Sequence, residues 1–200
     1  MTLKDSNKWY IFAYEPVFTW SHFLTRMLKW GIKGGTGSEI CHMSYSYDYA
    51  GQKEFIKQTT FNKDCHSVDY IPHFKERYSK IYAYEVKVRI DLARLHEFTK
   101  SHLGEKYRPK RAFYSAIDRI PIVNKLWKYF FKIEENSDDV AFCNNFVVLA
   151  LQDQGYLKHI KDVNSLSPEE TKKEIQKYGL CYSPMLVWNK SYFVNNVFKK

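Results

Sequence analysis

The chain has 200 residues, and 31 Lys or Arg against 22 Asp or Glu give it a formal net charge of +9. This length predicts a single domain, residues 1–200, whose core needs no disulfides. Four cysteines without paired spacing, no apolar leader and no apolar run near the roughly 20 residues that span a bilayer predict a cytoplasmic protein without a transmembrane segment. The lysines are spread along the chain, so the charge indicates a solvated surface with a bias toward acidic partners.

The first 50 residues predict two strands and a helix. The aromatic run at residues 9–14, ended by Pro16, predicts a strand. Apolar residues at helical intervals over residues 18–32 predict an amphipathic helix. Residues 38–48 alternate tyrosine or methionine with serine, which predicts a second strand with His42 near its start.

A hairpin is predicted next. A turn at residues 48–51 leads to residues 54–60, which we expect to pair antiparallel with the preceding strand. Such a hairpin brings the start of one strand beside the end of the other, so we expect His42 and Gln58 to approach each other. Residues 61–80 show no regular pattern and predict irregular structure.

The remaining elements are mostly helical. Residues 81–90 have the clearest strand alternation in the chain, and Asp91 is then expected to N-cap a helix that ends at Gly104. A helical pattern follows over residues 112–133, and Pro168 marks a later helix start. Strands followed by helices predict an α+β fold rather than a regular alternation of strand and helix.

The most informative helix is predicted over residues 142–154, with apolar residues on most sides and Gly155 as its end. Cys143 lies at its start, after the acidic polar run 134–139. Unpaired N–H groups and the helix dipole favour a thiolate at such a position, so we expect Cys143 to be the only one of the four thiols with a low pKa. The alternative is that Cys143 is a small buried hydrophobe.

A nucleophilic cysteine needs an imidazole that takes its proton and a third polar group that orients the ring. His42 is the candidate imidazole, although a histidine at a strand start is more often structural. If the two residues form a catalytic pair, the sulfur of Cys143 should lie within about 4 Å of a ring nitrogen of His42.

Several short motifs resemble the circularly permuted NlpC-like branch of the papain-fold cysteine hydrolases. The matching pieces are residues 41–45 (CHMSY), 55–59 (FIKQT), 103–107 (LGEKY) and 142–147 (FCNNFV). The resemblance covers residues 8–157 and implies a permuted papain-like fold, with a small antiparallel sheet packed against helices. Residues 158–200 would then be a C-terminal helical extension.

The resemblance also implies roles for individual residues. Cys143 would be the nucleophile, and His42 would act first as base and then as acid. Gln58 matches the family's third polar position best, and its amide oxygen can accept an imidazole N–H. Asp64 and Glu54 are the alternatives for this third role.

The implied activity is thiol-dependent hydrolysis or transfer at an amide, peptide or acyl ester bond, without a metal or an organic cofactor. The substrate would be a small molecule, a lipid or a peptide, and Tyr107, Arg108 and Asn144 are assigned to its binding. The family often has Ser-Glu where this chain has Asn144-Asn145, and an acid where it has Arg108. These departures leave the nucleophile and the base in place.

Three alternative functions depend on other residues: binding of an acidic partner, binding of nucleic acid and binding of zinc. A non-enzymatic binding module with the same fold would hold an acidic ligand or partner on the basic turn at residues 106–111. Nucleic acid is a weaker alternative, because aromatic residues at this density belong mostly to cores. The Cys-His dipeptides at 41–42 and 65–66 fit zinc poorly, since adjacent strand residues point to opposite faces.

Overall fold

The computed structural model describes residues 8–16, 39–58, 65–68, 78–105 and 143–189, which combine one antiparallel sheet with helices. The strands are β1 (Trp9–Pro16), β2 (His42–Tyr49), β3 (Gln52–Gln58), β4 (Cys65–Val68), β5 (Tyr78–Glu85) and β6 (Met185–Asn189). The helices are α1 (Leu92–His102), α2 (Cys143–Asp153) and α3 (Pro168–Lys177), with a 3-10 turn at Val163–Ser165. This part of the chain is therefore α+β, as predicted.

The sheet has the order β4-β3-β2-β1-β5-β6, and every neighbouring pair is antiparallel. The predicted hairpin is confirmed: β2 and β3 pair from Tyr45 opposite Ile56 to Tyr49 opposite Gln52. Ala50 and Gly51 form its turn with φ values of 51° and 78°. Two positive φ values in succession give the two-residue turn that matches the twist of paired strands.

The two faces of the sheet carry different cores. On one, here called the helix face, α2 packs over β2, and the buried residues include Trp9, Ile11, Ala13, Met43, Tyr45, Phe146 and Val147. The other, here called the histidine face, carries Tyr10, Phe12, Tyr14, Phe55, Ile81 and Ala83. The β1–β2 register places His42 opposite Tyr14 and Ser44 opposite Phe12, so both polar residues lie on the histidine face.

Helices α1 and α2 are fixed to each other at one end. Asp91 caps α1, as predicted, by accepting the N–H of Arg94 at 3.1 Å. The guanidinium of Arg94 donates to both carboxylate oxygens of Asp153, at 3.0 and 3.1 Å. Gly155 then ends α2 with a φ of 94°, which confirms its predicted role as the residue that closes the helix.

Helix α3 begins as the sequence indicates. Pro168 occupies the first turn, and Ser167 and Glu170 form a reciprocal capping box. The N–H of Glu170 donates to Ser167 Oγ at 3.2 Å, while the N–H of Ser167 donates to the Glu170 carboxylate at 2.8 Å. This helix packs against α2 and so supports the helix that carries Cys143.

The structure corrects the prediction in three places. The segment predicted as irregular contains β4, and the segment predicted as a helical extension contains β6 as well as α3. Strand β5 ends at Glu85, although the apolar alternation continues to residue 90. Beyond it, Val86 makes a single bridge to Cys181, and the chain then turns into α1. The helices predicted at 18–32 and 112–133 lie outside the described residues.

The helices of the described ranges are short or polar. None of them is long and apolar enough to cross a lipid bilayer.

Candidate functional site

Cys143 is the first residue of α2, as predicted, and it approaches strand β2. Its side chain is buried, and the backbone groups of Met43, Asn144 and Cys143 itself act on the thiol by lowering its pKa. The contact with Met43 places the thiol at the strand position directly after His42. The sequence therefore identified correctly where Cys143 lies in its helix.

The protonation state of Cys143 differs from the prediction. Burial raises the pKa of the thiol to about 11, although the three backbone N–H groups lower it. Desolvation disfavours the charged thiolate, and in this site it outweighs the helix-terminus effect on which the prediction depended. The expectation of a low-pKa thiol at Cys143 is wrong for this structure, in which the thiol is neutral at physiological pH.

His42 begins β2, and its ring is buried against two tyrosines. The ring centroids of His42 and Tyr14 are 5.2 Å apart, and those of His42 and Tyr78 are 6.1 Å apart with the planes within 10°. Burial, and after it the positive charge of Lys57, lower the pKa of the His42 imidazole to about 3. Its Nε2 atom is buried and has no hydrogen-bond partner within the described ranges.

The thiol of Cys143 and the residue His42 lie at neighbouring positions along β2 but are not joined by a hydrogen bond. Within the described ranges no hydrogen bond links them, and the sulfur instead contacts the N–H of Met43, the neighbour of His42. His42 shares the histidine face with Tyr14, whereas Met43 belongs to the helix face covered by α2. The thiol and the imidazole thus meet β2 at adjacent residues, and in this state the predicted thiol–imidazole contact is not formed as a hydrogen bond.

The third catalytic position has three candidates with different outcomes. Gln58 ends β3 opposite Cys65, close to the end of β2 that carries His42, and the description of this residue covers only its backbone. Glu54 pairs with Tyr47, five residues along β2 from His42 or about 16 Å, and is bound there to Ser67 and Lys100. Glu54 is thereby excluded from this role, and Asp64 lies outside the described residues.

Asn144, assigned to substrate binding, is buried and used inside the protein. Its Nδ2 atom donates to the backbone oxygen of Leu166 at 2.9 Å and to Oγ1 of Thr171 at 3.1 Å. These bonds connect the start of α2 to the start of α3. The other two substrate-binding candidates, Tyr107 and Arg108, lie outside the described residues.

We expect Asn144→Ala to lower the free energy of unfolding by about 2 kcal/mol, because it leaves a partly buried carbonyl and a buried hydroxyl without their donor. Urea unfolding measures this loss. Gln154→Ala at the opposite end of α2 is the control: it removes a bond to the N–H of Asp91 that water can replace. Equal losses in the two variants would contradict the structural role of Asn144.

Sequence reasoning missed two side chains of this site, Tyr14 and Lys57. Tyr14 lies opposite His42, and its hydroxyl pairs with Ser44 Oγ at 2.5 Å in a buried position. Burial raises the pKa of Tyr14, the hydrogen bond to Ser44 lowers it, and a charge on Cys143 would raise it further. Lys57 is buried on the histidine face although it is a lysine. The only feature of the sequence that could have predicted this burial is the apolar pair Phe55 and Ile56 directly before Lys57.

The competing zinc reading gains no geometric support. In the described part of the chain, no three His, Cys, Asp or Glu side chains come together as a candidate metal site. Comparison with known proteins adds no assignment, since no protein-family model and no curated protein matches the chain. What the site does must be inferred from its own residues.

Proposed function

We propose that this protein is a thiol-dependent hydrolase or transferase of permuted papain-like fold, acting at an amide, peptide or acyl ester bond. The observation that carries the proposal is the meeting of Cys143, at the start of α2, with β2 at the residue next to His42. The chain order of a first strand, a histidine strand, its partner strand and a cysteine helix supports the same assignment.

The proposed reaction requires the imidazole of His42 to reach the thiol on the helix face, a contact that is not formed in this state. In that arrangement the sulfur of Cys143 attacks the carbonyl carbon while its proton passes to His42. The carbonyl oxygen becomes negatively charged, and the N–H of Cys143 with a neighbouring donor at the helix start stabilises it. The intermediate collapses as His42 returns the proton to the leaving amine or alcohol, which leaves a thioester. Water, deprotonated by His42, or another acceptor then releases the acyl group and restores the thiol.

The pKa values of the two residues constrain how this reaction starts. Burial raises the pKa of the Cys143 thiol and lowers the pKa of the His42 imidazole, so both shifts favour the neutral pair over the thiolate–imidazolium ion pair. Proton transfer is therefore coupled to attack on a bound substrate instead of preceding it.

The proposal predicts a covalent thioester that can be trapped without knowledge of the natural substrate. We expect an activated acyl ester, such as a p-nitrophenyl ester, to leave one acyl group on Cys143 after acid quenching, detected by mass spectrometry of the intact protein and its peptides. His42→Ala should abolish the adduct, while Cys181→Ala, at a half-buried cysteine, should leave it unchanged. Folded protein acylated only at other side chains would refute the proposal.

One observation favours the second candidate, a binding module of the same fold. The buried thiol is neutral, and it has no hydrogen bond to His42, so Cys143 is not activated in this state. In this alternative the basic turn at residues 106–111 holds an acidic ligand or partner. The two functions place opposite demands on Cys143 and on the basic turn, which makes them separable by mutation.

A further inference from the structure

We propose that His102 is the base for the second half of the reaction, in which it deprotonates the water that releases the acyl group from Cys143. The inference rests on the proposed function and gives His102 a step that otherwise depends on His42. The imidazole of His102 packs against the core of the helix face, which Cys143 approaches, whereas His42 lies on the histidine face.

The end of α1 lies beside the start of α2. The two helices run antiparallel: Arg94 near the start of α1 is bound to Asp153 at the end of α2, and His102 at the end of α1 packs against Phe146. The ring centroids of His102 and Phe146 are 5.7 Å apart. Phe146 lies one turn after Cys143 in α2, which is about 5 Å along the helix axis. The imidazole is therefore close to the level of the thiol.

The contacts of α1 with the sheet support the same placement. The Tyr45 hydroxyl pairs with Thr99 Oγ1 at 2.8 Å in a buried position, one turn before His102. Tyr45 lies two residues, or about 7 Å, along β2 from Met43, whose backbone acts on the thiol of Cys143. The sheet thus holds the end of α1 near the thiol by a contact in which the thiol takes no part.

The hydrogen bonds of His102 leave one ring nitrogen able to take a proton. Its Nδ1 atom lies 2.7 Å from the backbone oxygen of Phe98, and a carbonyl oxygen only accepts, so Nδ1 carries a hydrogen and donates it. In the neutral ring the lone pair is then on Nε2. The Glu105 carboxylate lies 3.9 Å from Nε2 and favours the positive charge that the ring gains. The side chain of His102 is 25% exposed, so water reaches it.

This placement suits a base that acts through water. In the release step Nε2 of His102 takes a proton from water while the water oxygen attacks the thioester carbonyl carbon. The C–S bond breaks, and the imidazolium returns the proton to the sulfur, which restores the thiol and the neutral ring. A base for this water lies about one water molecule, roughly 3 Å, farther from the sulfur than a base that takes the thiol proton directly. A histidine packed one helical turn from Cys143 therefore fits the release step.

The rate of acyl release tests the assignment. After labelling with p-nitrophenyl acetate and removal of the excess ester, the Cys143 thioester of His102→Ala should decay about 100-fold more slowly than that of the wild type, as expected for the loss of a general base. Its formation should keep the wild-type rate. His102→Gln retains a donor for the Phe98 oxygen and should show the same slow decay. Added imidazole should speed release in His102→Ala, which it would not do if the ring were only structural. Mass spectrometry of intact protein, acid-quenched at intervals, measures both rates.

His96→Ala is the matched control. His96 lies six residues earlier on α1, where its ring packs 4.7 Å from that of Tyr49 and its Nδ1 pairs with the Tyr47 hydroxyl at 3.2 Å. This variant should release the acyl group at the wild-type rate. Equal slowing in the two alanine variants, or wild-type release in folded His102→Ala, would overturn the assignment while leaving the proposed function intact. Loss of thioester formation in His102→Ala would also overturn it, by placing His102 in the first half of the reaction. A wild type that forms no thioester would refute the proposed function and this assignment together.

Discussion

Replacing Cys143 with alanine should reduce catalytic turnover by a factor on the order of ten thousand or more, because it removes the sulfur that makes the covalent attack. The fold should survive, since the change removes one sulfur atom from a buried position and costs about 1 kcal/mol. Hydrolysis of the acyl ester that labels Cys143 measures the loss. Cys181→Ala is the matched control and should retain full turnover.

The same variant separates the enzyme from the binding module. A binding module should retain its ligand in Cys143→Ala and lose it, with marked salt dependence, when Lys106, Arg108, Lys110 and Arg111 are changed to glutamine. An enzyme of the proposed class should show the reverse pattern. Undiminished biological function of Cys143→Ala would rule out the thiol mechanism, and undiminished function of the charge variant would rule out the basic-turn alternative.

Local signals predicted the elements that position Cys143. The apolar pattern of α2, its end at Gly155 and the Asp91 cap each depend on residues close in sequence, and each is confirmed. The β2–β3 hairpin is similarly local, since two adjacent residues make its turn. Strands β4 and β6 were missed because short edge strands are defined by their partners, which sequence periodicity does not reveal.

The electrostatics of the site depend on long-range contacts, and here sequence reasoning reached the wrong sign. A cysteine at a helix start predicts a low pKa only if the thiol remains near water. Cys143 is 6% exposed because α2 packs onto the sheet, so burial dominates its pKa. The partners of His42 were missed for a related reason: Tyr14 and Tyr78 reach it only through the register of three strands.

The buried imidazole of His42 should make the protein acid-sensitive. Its pKa is about 3 when folded and 6.5 in an unperturbed chain, so the unfolded state binds an extra proton between these values. This contribution to stability is complete above about pH 6.5 and is lost as the pH falls toward 3, up to about 5 kcal/mol in all. We expect His42→Gln, which cannot titrate, to lack this part of the acid sensitivity.

Urea unfolding at pH 7 and pH 4 measures the effect as a double difference. Between these values the wild type should lose about 3 kcal/mol more than His42→Gln, because carboxylates that titrate in both proteins cancel. Ser46→Ala, a buried change on the same strand and face, introduces no titrating group and should follow the wild type. Parallel curves for wild type and His42→Gln would mean that the imidazole accepts its proton as readily in the folded protein. In that case the His42 imidazole would be solvated. The pair of neutral Cys143 and neutral His42, from which the proposed coupled proton transfer starts, would then not exist.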